Sequence, residues 1–554
     1  MRRIGIRILG LAAILALIAG CDSAGDDEPS PAPRSHQTPL ETSIRGDKAN
    51  REPKVAAIEP KRHDAVTGTG TPSQSVKPAP KNETPEPATP TNTGYTESAF
   101  NFFNGDAKRG FDAITSEVAG ALALKKTLVI WILDKTPASA SARGLAAQAI
   151  ATVGREAINK ARAQGGATNA LSVAIVGFAK EATIVTPEPI DDLSQAASLV
   201  SGIGEEPADS PLTFTAVSKA ADEFLPYRNK GYEMLFVIAA DTNGRDWDKL
   251  DDVIPKLRRM SVPVYGVGNA VPFGRQPGMA ADKTPSESFA LERIDLGYPG
   301  VSINPEPTLT DSGYGPFGLE RLCRKTDGRF FRIRQSNMST GWNTTSDGTI
   351  DSDVLAKLAP DYVSPKEYQK LLSENKARAA LVNAAKVAHA DQNYNVMGTQ
   401  LRTKSAGGQP VDQARIATMV GNWQRSPADR SIDVDRIYDA LAPGEADRPK
   451  LTGARWQAEF DLAMGRVLAA KCRIDSYNQI LATIKQGKAF SKPDSQTWMI
   501  ARANTSSINS SLNKMAASAQ MYLNRVIKEH PGTPWAMLAE RELSEKVGWE
   551  LSEQ

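Results

Sequence analysis

Six consecutive apolar residues, Leu128 to Leu133, stop at Asp134. A polar turn, Lys135-Thr136-Pro137-Ala138, follows. Apolar positions then recur at helical spacing over Ser139–Gln164, through Leu145, Ala146, Ile150, Val153 and Ile158. An unbroken apolar run of this length predicts a strand buried on both faces, and the change to a 3.6-residue period predicts a covering helix. The alternation continues. Strands are expected at Leu171–Phe178, Met234–Ala240, Val262–Val267 and Arg329–Ile333, with Glu181–Val185 forming a hairpin on the first of these. Helices are expected at Ile190–Ile203, Phe214–Leu225, Trp247–Met260 and Phe317–Lys325. Buried strands alternating with helices predict an α/β fold, a doubly wound and mostly parallel sheet over about 122–336, with ligands received at the C-terminal strand ends.

Residues 270–316 interrupt this rhythm with Gly, Pro, Ser and Asp, and are long for a connection. Leaving the C-terminal end of the Val262–Val267 strand, they are expected on the same face as Asp134, as a lid or recognition surface. A passive insertion is the alternative. After about 350 the pattern becomes helical. Lys366–His389 forms one candidate helix. Trp456, Phe460, Ala463, Val467, Ile474 and Leu481 mark a second, and Ile508, Leu512, Met515, Ala519, Leu523 and Val526 a third. Pro531 to Pro534 breaks the chain, and Pro534 suits the first turn of a last helix. Residues 350–554 therefore read as an all-α region whose stripes form a core, with 390–450, rich in polar breaks, as a weakly ordered connection.

Composition adds an envelope address. Arg2, Arg3 and Arg7 precede an apolar core, Ile8–Ile18, too short to span a bilayer comfortably. The run ends Leu17-Ile-Ala-Gly-Cys21, which resembles a bacterial lipobox: residues 1–20 as signal peptide and Cys21 as the lipidated mature N-terminus. Its acyl chains would hold the protein on the periplasmic side of a membrane, inner or outer, without a spanning helix. Residues 21–95 have no aromatic before Tyr95 and hold 12 of the 36 prolines, the composition of a disordered tether with a coil reach of roughly 45–50 Å. Export permits a disulfide between Cys323 and Cys472, but two buried thiols in separate regions are the simpler expectation.

Three places resemble the von Willebrand factor A family. Asp134, Thr136 and Ala138 align with its Asp-x-Ser-x-Ser turn. Thr213, in Pro211-Leu-Thr-Phe-Thr215, aligns with its single metal-facing threonine. Asp241 closes the Phe236–Ala240 strand as its second acid does. The resemblance implies a Mg²⁺ ringed by hard oxygens from Asp134, Thr136, Thr213 and Asp241, with a vacant position for a partner's carboxylate. Ala138 departs from the pattern because it offers no oxygen. Ser139 lies one residue late, at a helix start, and is expected to point elsewhere. Lys135 brings a cation to the site. The site thus reads as degenerate, and Asp134 and Asp241 have an alternative use as partners for loop amides and helix N-termini.

Other chemistries find little support. Net charge is +2, from 66 basic and 64 acidic residues, which leaves no footprint for nucleic acid. The four histidines include none between 64 and 388, so a histidine-rich zinc site or a Ser-His-Asp triad cannot form within that stretch. Gly202-Ile-Gly204 runs into Glu205-Glu206, not into a phosphate loop. The function expected is non-enzymatic protein–protein interaction at the envelope. The alternatives are a Mg²⁺-dependent adhesion module and an enzyme whose chemistry sits among the helices.

Overall fold

The computed structural model describes residues 104–554, except 106, 164–169, 209–210, 241–243, 245, 274–309, 334–340, 345–349, 389–397 and 507–508. The signal segment, Cys21, the tether, Asp241 and most of the 270–316 insertion lie outside the described residues.

In chain order the sheet-bearing part contains β1 (Asn104–Gly105), α1 (Ala107–Leu124), β2 (Thr127–Asp134), α2 (Ala140–Ala163), β3 (Leu171–Phe178), β4 (Ala182–Ile184), α3 (Leu193–Ser201), α4 (Thr213–Phe224), β5 (Glu233–Ala239), α5 (Leu250–Arg259), β6 (Val264–Asn269), α6 (Phe317–Lys325) and β7 (Phe330–Ile333). The seven strands take the order β1-β7-β6-β5-β2-β3-β4, all parallel except β4, which runs antiparallel to β3. The doubly wound sheet expected from the alternation is present. Successive β2 residues go to opposite layers: Leu128, Ile130 and Ile132 pack with α4, α5 and α6, while Val129, Trp131 and Leu133 pack with α1, α2 and α3. This two-sided burial is why the strand contains no polar position between Thr127 and Asp134.

Helix α1 begins before the boundary expected at 122. Its buried face of Phe111, Ile114, Val118 and Leu122 belongs to the same layer as Trp131. The expected helix positions otherwise hold to within a few residues. Pro137–Ser139 is, however, a turn of 3₁₀ helix ahead of α2, and this matters below.

The C-terminal part comprises α7 (Ser352–Lys357), α8 (Pro365–Glu374), α9 (Lys376–Val387), β8 (Gln400–Arg402), α10 (Gln413–Leu441), α11 (Ala454–Lys485), β9 (Thr497–Ala503), α12 (Ser510–Glu529), α13 (Pro534–Ser544) and β10 (Gly548–Glu553). It is helical as expected, with three departures. The single helix over Lys366–His389 is two, because Asn375 adopts an extended conformation and its side chain caps α9 through the Ala377 and Arg378 amides. The weakly ordered connection over 390–450 contains the 29-residue α10. Ile416, Val420, Pro427, Val434, Ile437 and Leu441 form its buried face. Dense charge and an internal proline hid that stripe in the sequence. The region is also not purely α: β10, β9 and β8 form a three-stranded antiparallel sheet, in that order, lying over Tyr477, Ile480 and Ile484 of α11.

The stripe residues of α11, from Trp456 to Leu481, are buried as core. Cys323 and Cys472 are both buried free thiols, in separate apolar clusters. Among the described residues no helix is long and apolar enough to cross a membrane.

Only the ends of the insertion, 270–273 and 310–316, are described, so its expected place over the Asp134 face lies outside the described residues. Its two described ends zip together, with the Val271 amide donating to the Tyr314 carbonyl (2.9 Å) and the Phe273 amide to Thr310 (2.7 Å). This stem packs on the helical part. Phe273 meets Trp535 edge-on at 4.8 Å, and Trp342 meets Trp535 at 5.9 Å. Buried apolar surface on Phe273, Tyr314 and Trp342 draws the stem into the cluster formed by α11, α12 and α13. Phe317, at the start of α6, likewise stacks on Tyr362 and joins the main helical cluster. The two parts therefore share apolar cores.

Candidate functional site at the C-terminal edge of the sheet

Chain order reverses direction across the sheet at β2: β3 follows on one side and β5 on the other. Loops leaving such a switch point diverge and leave a crevice at the C-terminal strand ends. Asp134, 1 % exposed, is the last residue of β2 and stands at that end of the strand.

Asp134 is held from within its own loop. Its Oδ1 accepts the Thr136 amide at 2.8 Å and its Oδ2 accepts the Ser139 hydroxyl at 2.9 Å. Ser139 therefore does not point away, contrary to the sequence expectation. The Pro137–Ser139 segment is a 3₁₀ turn, closed by the Ser139 amide on the Thr136 carbonyl (3.0 Å). With three residues per turn instead of 3.6, this geometry swings Ser139 back over the aspartate. Ser139→Ala is expected to cost about 1–3 kcal/mol in chemical denaturation, because it leaves a buried carboxylate oxygen without its donor. An unchanged midpoint would show that this bond contributes nothing.

Arg143, one turn into α2 and buried, stitches the same loop. Its Nη1 donates to the carbonyls of Asp134 (2.9 Å) and Thr136 (2.7 Å), and its Nη2 reaches Glu205 (3.1 Å). Lys135 turns to Glu206, 2.6 Å away, and this ammonium hydrogen bond holds the Glu206 carboxyl below the usual range. The Glu206 amide in turn donates to the Lys135 carbonyl (3.1 Å). Glu205 and Glu206, which the sequence presents only as an interruption after Gly204, thus latch the α3–α4 loop onto the Asp134 loop. No local motif signals this, since the partners lie about 60–70 residues apart.

Thr213, fully buried, starts α4. The preceding Leu212 donates its amide to Ala179, at the end of β3, at 2.8 Å. The Thr213 hydroxyl is buried with no hydrogen-bond partner among the described residues. Asp246 is the acid placed beside it. Its carboxylate accepts the Phe214 amide at 3.2 Å and also the Thr215 amide, neutralising donors at the α4 N-terminus. Gly244 makes this approach possible. At φ +70°, a Cβ there would lie 2.2 Å from the Pro211 carbonyl oxygen and 2.8 Å from the Thr213 hydroxyl.

A divalent cation needs about six oxygens. Asp134 has unused lone pairs and Thr213 an unused hydroxyl, which begins such a shell. Against this, Asp246 is spent on α4, the Arg143 guanidinium occupies the loop carbonyls, and the described residues contain no group of three acidic, His or Cys side chains poised for a metal. The described donors fit a complete hard-cation shell only in part.

Beside these loops a cleft of about 760 Å³ opens between β4, α3 and the 202–206 segment. Lys135, Glu205 and Glu206 stand on its wall with Ile184, Leu199 and Ile203, and Leu199 is among the few large apolar side chains left exposed.

No protein-family model matches the chain, and no curated protein matches its sequence. Among solved structures it is similar to an aerotolerance-related membrane protein from Bacteroides fragilis carrying multiple mutations to serine, at 14 % identity over 38 % of this chain and 93 % of that one, with a TM-score of 0.23. It is also similar to the N-terminal domain of TFIIH p34, at 14 % identity over 38 % and 92 % with a TM-score of 0.24. A membrane-spanning protein from Vibrio fischeri matches at 11 % identity over 38 % and 90 %, with a TM-score of 0.13.

Proposed function

We propose that this chain is a lipid-anchored envelope protein that binds a protein partner, without catalysis, through the C-terminal edge of a von Willebrand factor A-type sheet. The observation that carries this reading is the cleft beside the Asp134 loop, between β4, α3 and the 202–206 segment, with paired charges and the exposed Leu199 on its wall. A mixed surface on loops braced by a rigid sheet suits protein recognition. The anchor reading rests on the sequence around Cys21 alone.

The test is a pull-down from envelope membranes, with and without EDTA, comparing the natural chain with a Glu205→Lys/Glu206→Lys variant. A partner lost by the variant and retained in EDTA supports metal-independent recognition at this edge. A partner indifferent to both substitutions places recognition elsewhere. Separately, Cys21→Ser is expected to move the protein from the membrane to the soluble fraction. A variant that stays with the membrane would overturn the anchor.

The unpartnered Thr213 hydroxyl favours a second reading, in which Asp134, Thr136, Thr213 and Asp241 hold Mg²⁺ and a partner carboxylate completes the shell. That reading predicts that Mg²⁺ or Mn²⁺ raises the melting temperature and that Asp134→Ala removes the increase. The absence of any shift in saturating metal would exclude it.

A further inference from the structure

The C-terminal sheet builds a second concavity with a different chemistry. β8 and β9 pair with Leu401 opposite Trp498. After β8 the chain doubles back, the Val411 amide donating to the Thr403 carbonyl at 2.7 Å. Between this turn and the segment joining α11 to β9 lies a pocket of about 360 Å³, within the size range of small-molecule sites. Its floor is apolar. Trp498 and Ile484 are each 2 % exposed, and half-buried Phe490 stacks on Trp498 with centroids 4.5 Å apart and ring planes at 21°.

The polar lining has one sign. Lys404 and Lys488 are the charged residues lining the pocket, and no carboxylate lines it. Neither ammonium has an ion-pair or hydrogen-bond partner among the described residues, whereas Lys135 and Lys471 are each paired. Ser495, 8 % exposed, adds a hydroxyl with no side-chain hydrogen bond among the described residues. Two uncompensated ammonium groups above an aromatic floor are complementary to a ligand with an apolar planar body and one anionic end.

We propose that this pocket binds a small organic carboxylate, its aromatic or branched body against Phe490 and its carboxylate met by Lys404, Lys488 and Ser495. This assignment is independent of the sheet-edge reading above.

The experiment is calorimetric titration of the full chain at low salt with 3-phenylpropionate and with its neutral counterpart 3-phenylpropionamide. The acid is expected to bind at least about tenfold more tightly than the amide, the worth of a charge-assisted hydrogen bond. Lys404→Gln/Lys488→Gln, changed at the pocket's charged rim, should abolish that preference. Phe490→Ala should weaken both ligands. Since Phe490 also packs on Trp498, the lysine variant, with circular dichroism matching the natural chain, is the decisive arm. Equal binding of acid and amide, no binding of either, or an acid preference unchanged by the lysine substitutions would each overturn the proposal.

Discussion

Asp461→Asn is expected to destabilise the protein by about 3–5 kcal/mol, the cost of removing one partner from a buried charge network. Asp461 is fully buried on α11 and accepts from two arginines. Arg448 reaches it through Nε, 3.1 Å from both oxygens, and through Nη2. Arg525, on α12, reaches it through Nε at 2.7 Å and Nη2 at 2.5 Å. Arg448 continues to Glu529 at 2.9 Å. The carboxylate thus joins α11, α12 and the 3₁₀ segment Ala442–Lys450. Asparagine keeps the shape, but it offers one acceptor oxygen in place of two and leaves two partly buried guanidinium groups facing an amide. Urea denaturation gives the measurement, and a double-mutant cycle with Arg525→Gln should return a coupling well above 1 kcal/mol. By contrast, Asp222→Asn, at the exposed pair with Lys256, should change stability by less than about 1 kcal/mol. Similar losses at both sites would refute the claim that burial gives the Asp461 network its weight.

Trp535→Ala should cost about 3–5 kcal/mol and also change how the protein unfolds. Trp535, fully buried near the start of α13, is the centre against which Phe273 and Trp342 pack edge-on. The Arg455 guanidinium lies 5.1 Å from its ring and 5.4 Å from that of Tyr314. These contacts tie the insertion stem, which leaves β6, to helices α11, α12 and α13. Removing the indole opens a cavity where the two parts meet. Calorimetry is expected to show one transition for the natural chain and, for the variant, a broadened or divided one, with the sheet part and the helical part melting apart. A variant that melts in one sharp transition, shifted only slightly, would mean that the shared cluster does not couple them.

Both effects arise at contacts that sequence patterns do not display. The β2 run could be read because burial on two faces makes its six central positions, Leu128 to Leu133, all apolar, and because an acid after such a run marks a strand end. The α2, α4 and α6 stripes could be read because each helix buries one face on the sheet. Helix α10 could not, since its buried positions are diluted by charge and interrupted by Pro427. The β8–β9–β10 sheet could not, since β8 has three residues and its partner β9 lies nearly a hundred residues away.

The candidate site divides the same way. By itself the sequence determined the α/β alternation, the buried strand that delivers Asp134, and the placement of Thr213 at the head of a helix. These follow from local periodicity and from where apolar runs end, which is information carried by neighbouring residues. Only the tertiary structure decided that Ser139 turns back to Asp134, that Arg143 and Glu205 brace the loop, that Asp246 serves the α4 N-terminus, and that the insertion stem belongs to the helical core. Each of these depends on a turn geometry or on a partner distant in sequence. The Asp134 turn is therefore a braced, largely self-satisfied loop: Thr136, Ser139 and Arg143 supply its donors from nearby in the chain, while Glu205 and Glu206 hold Arg143 and Lys135 from far away in sequence.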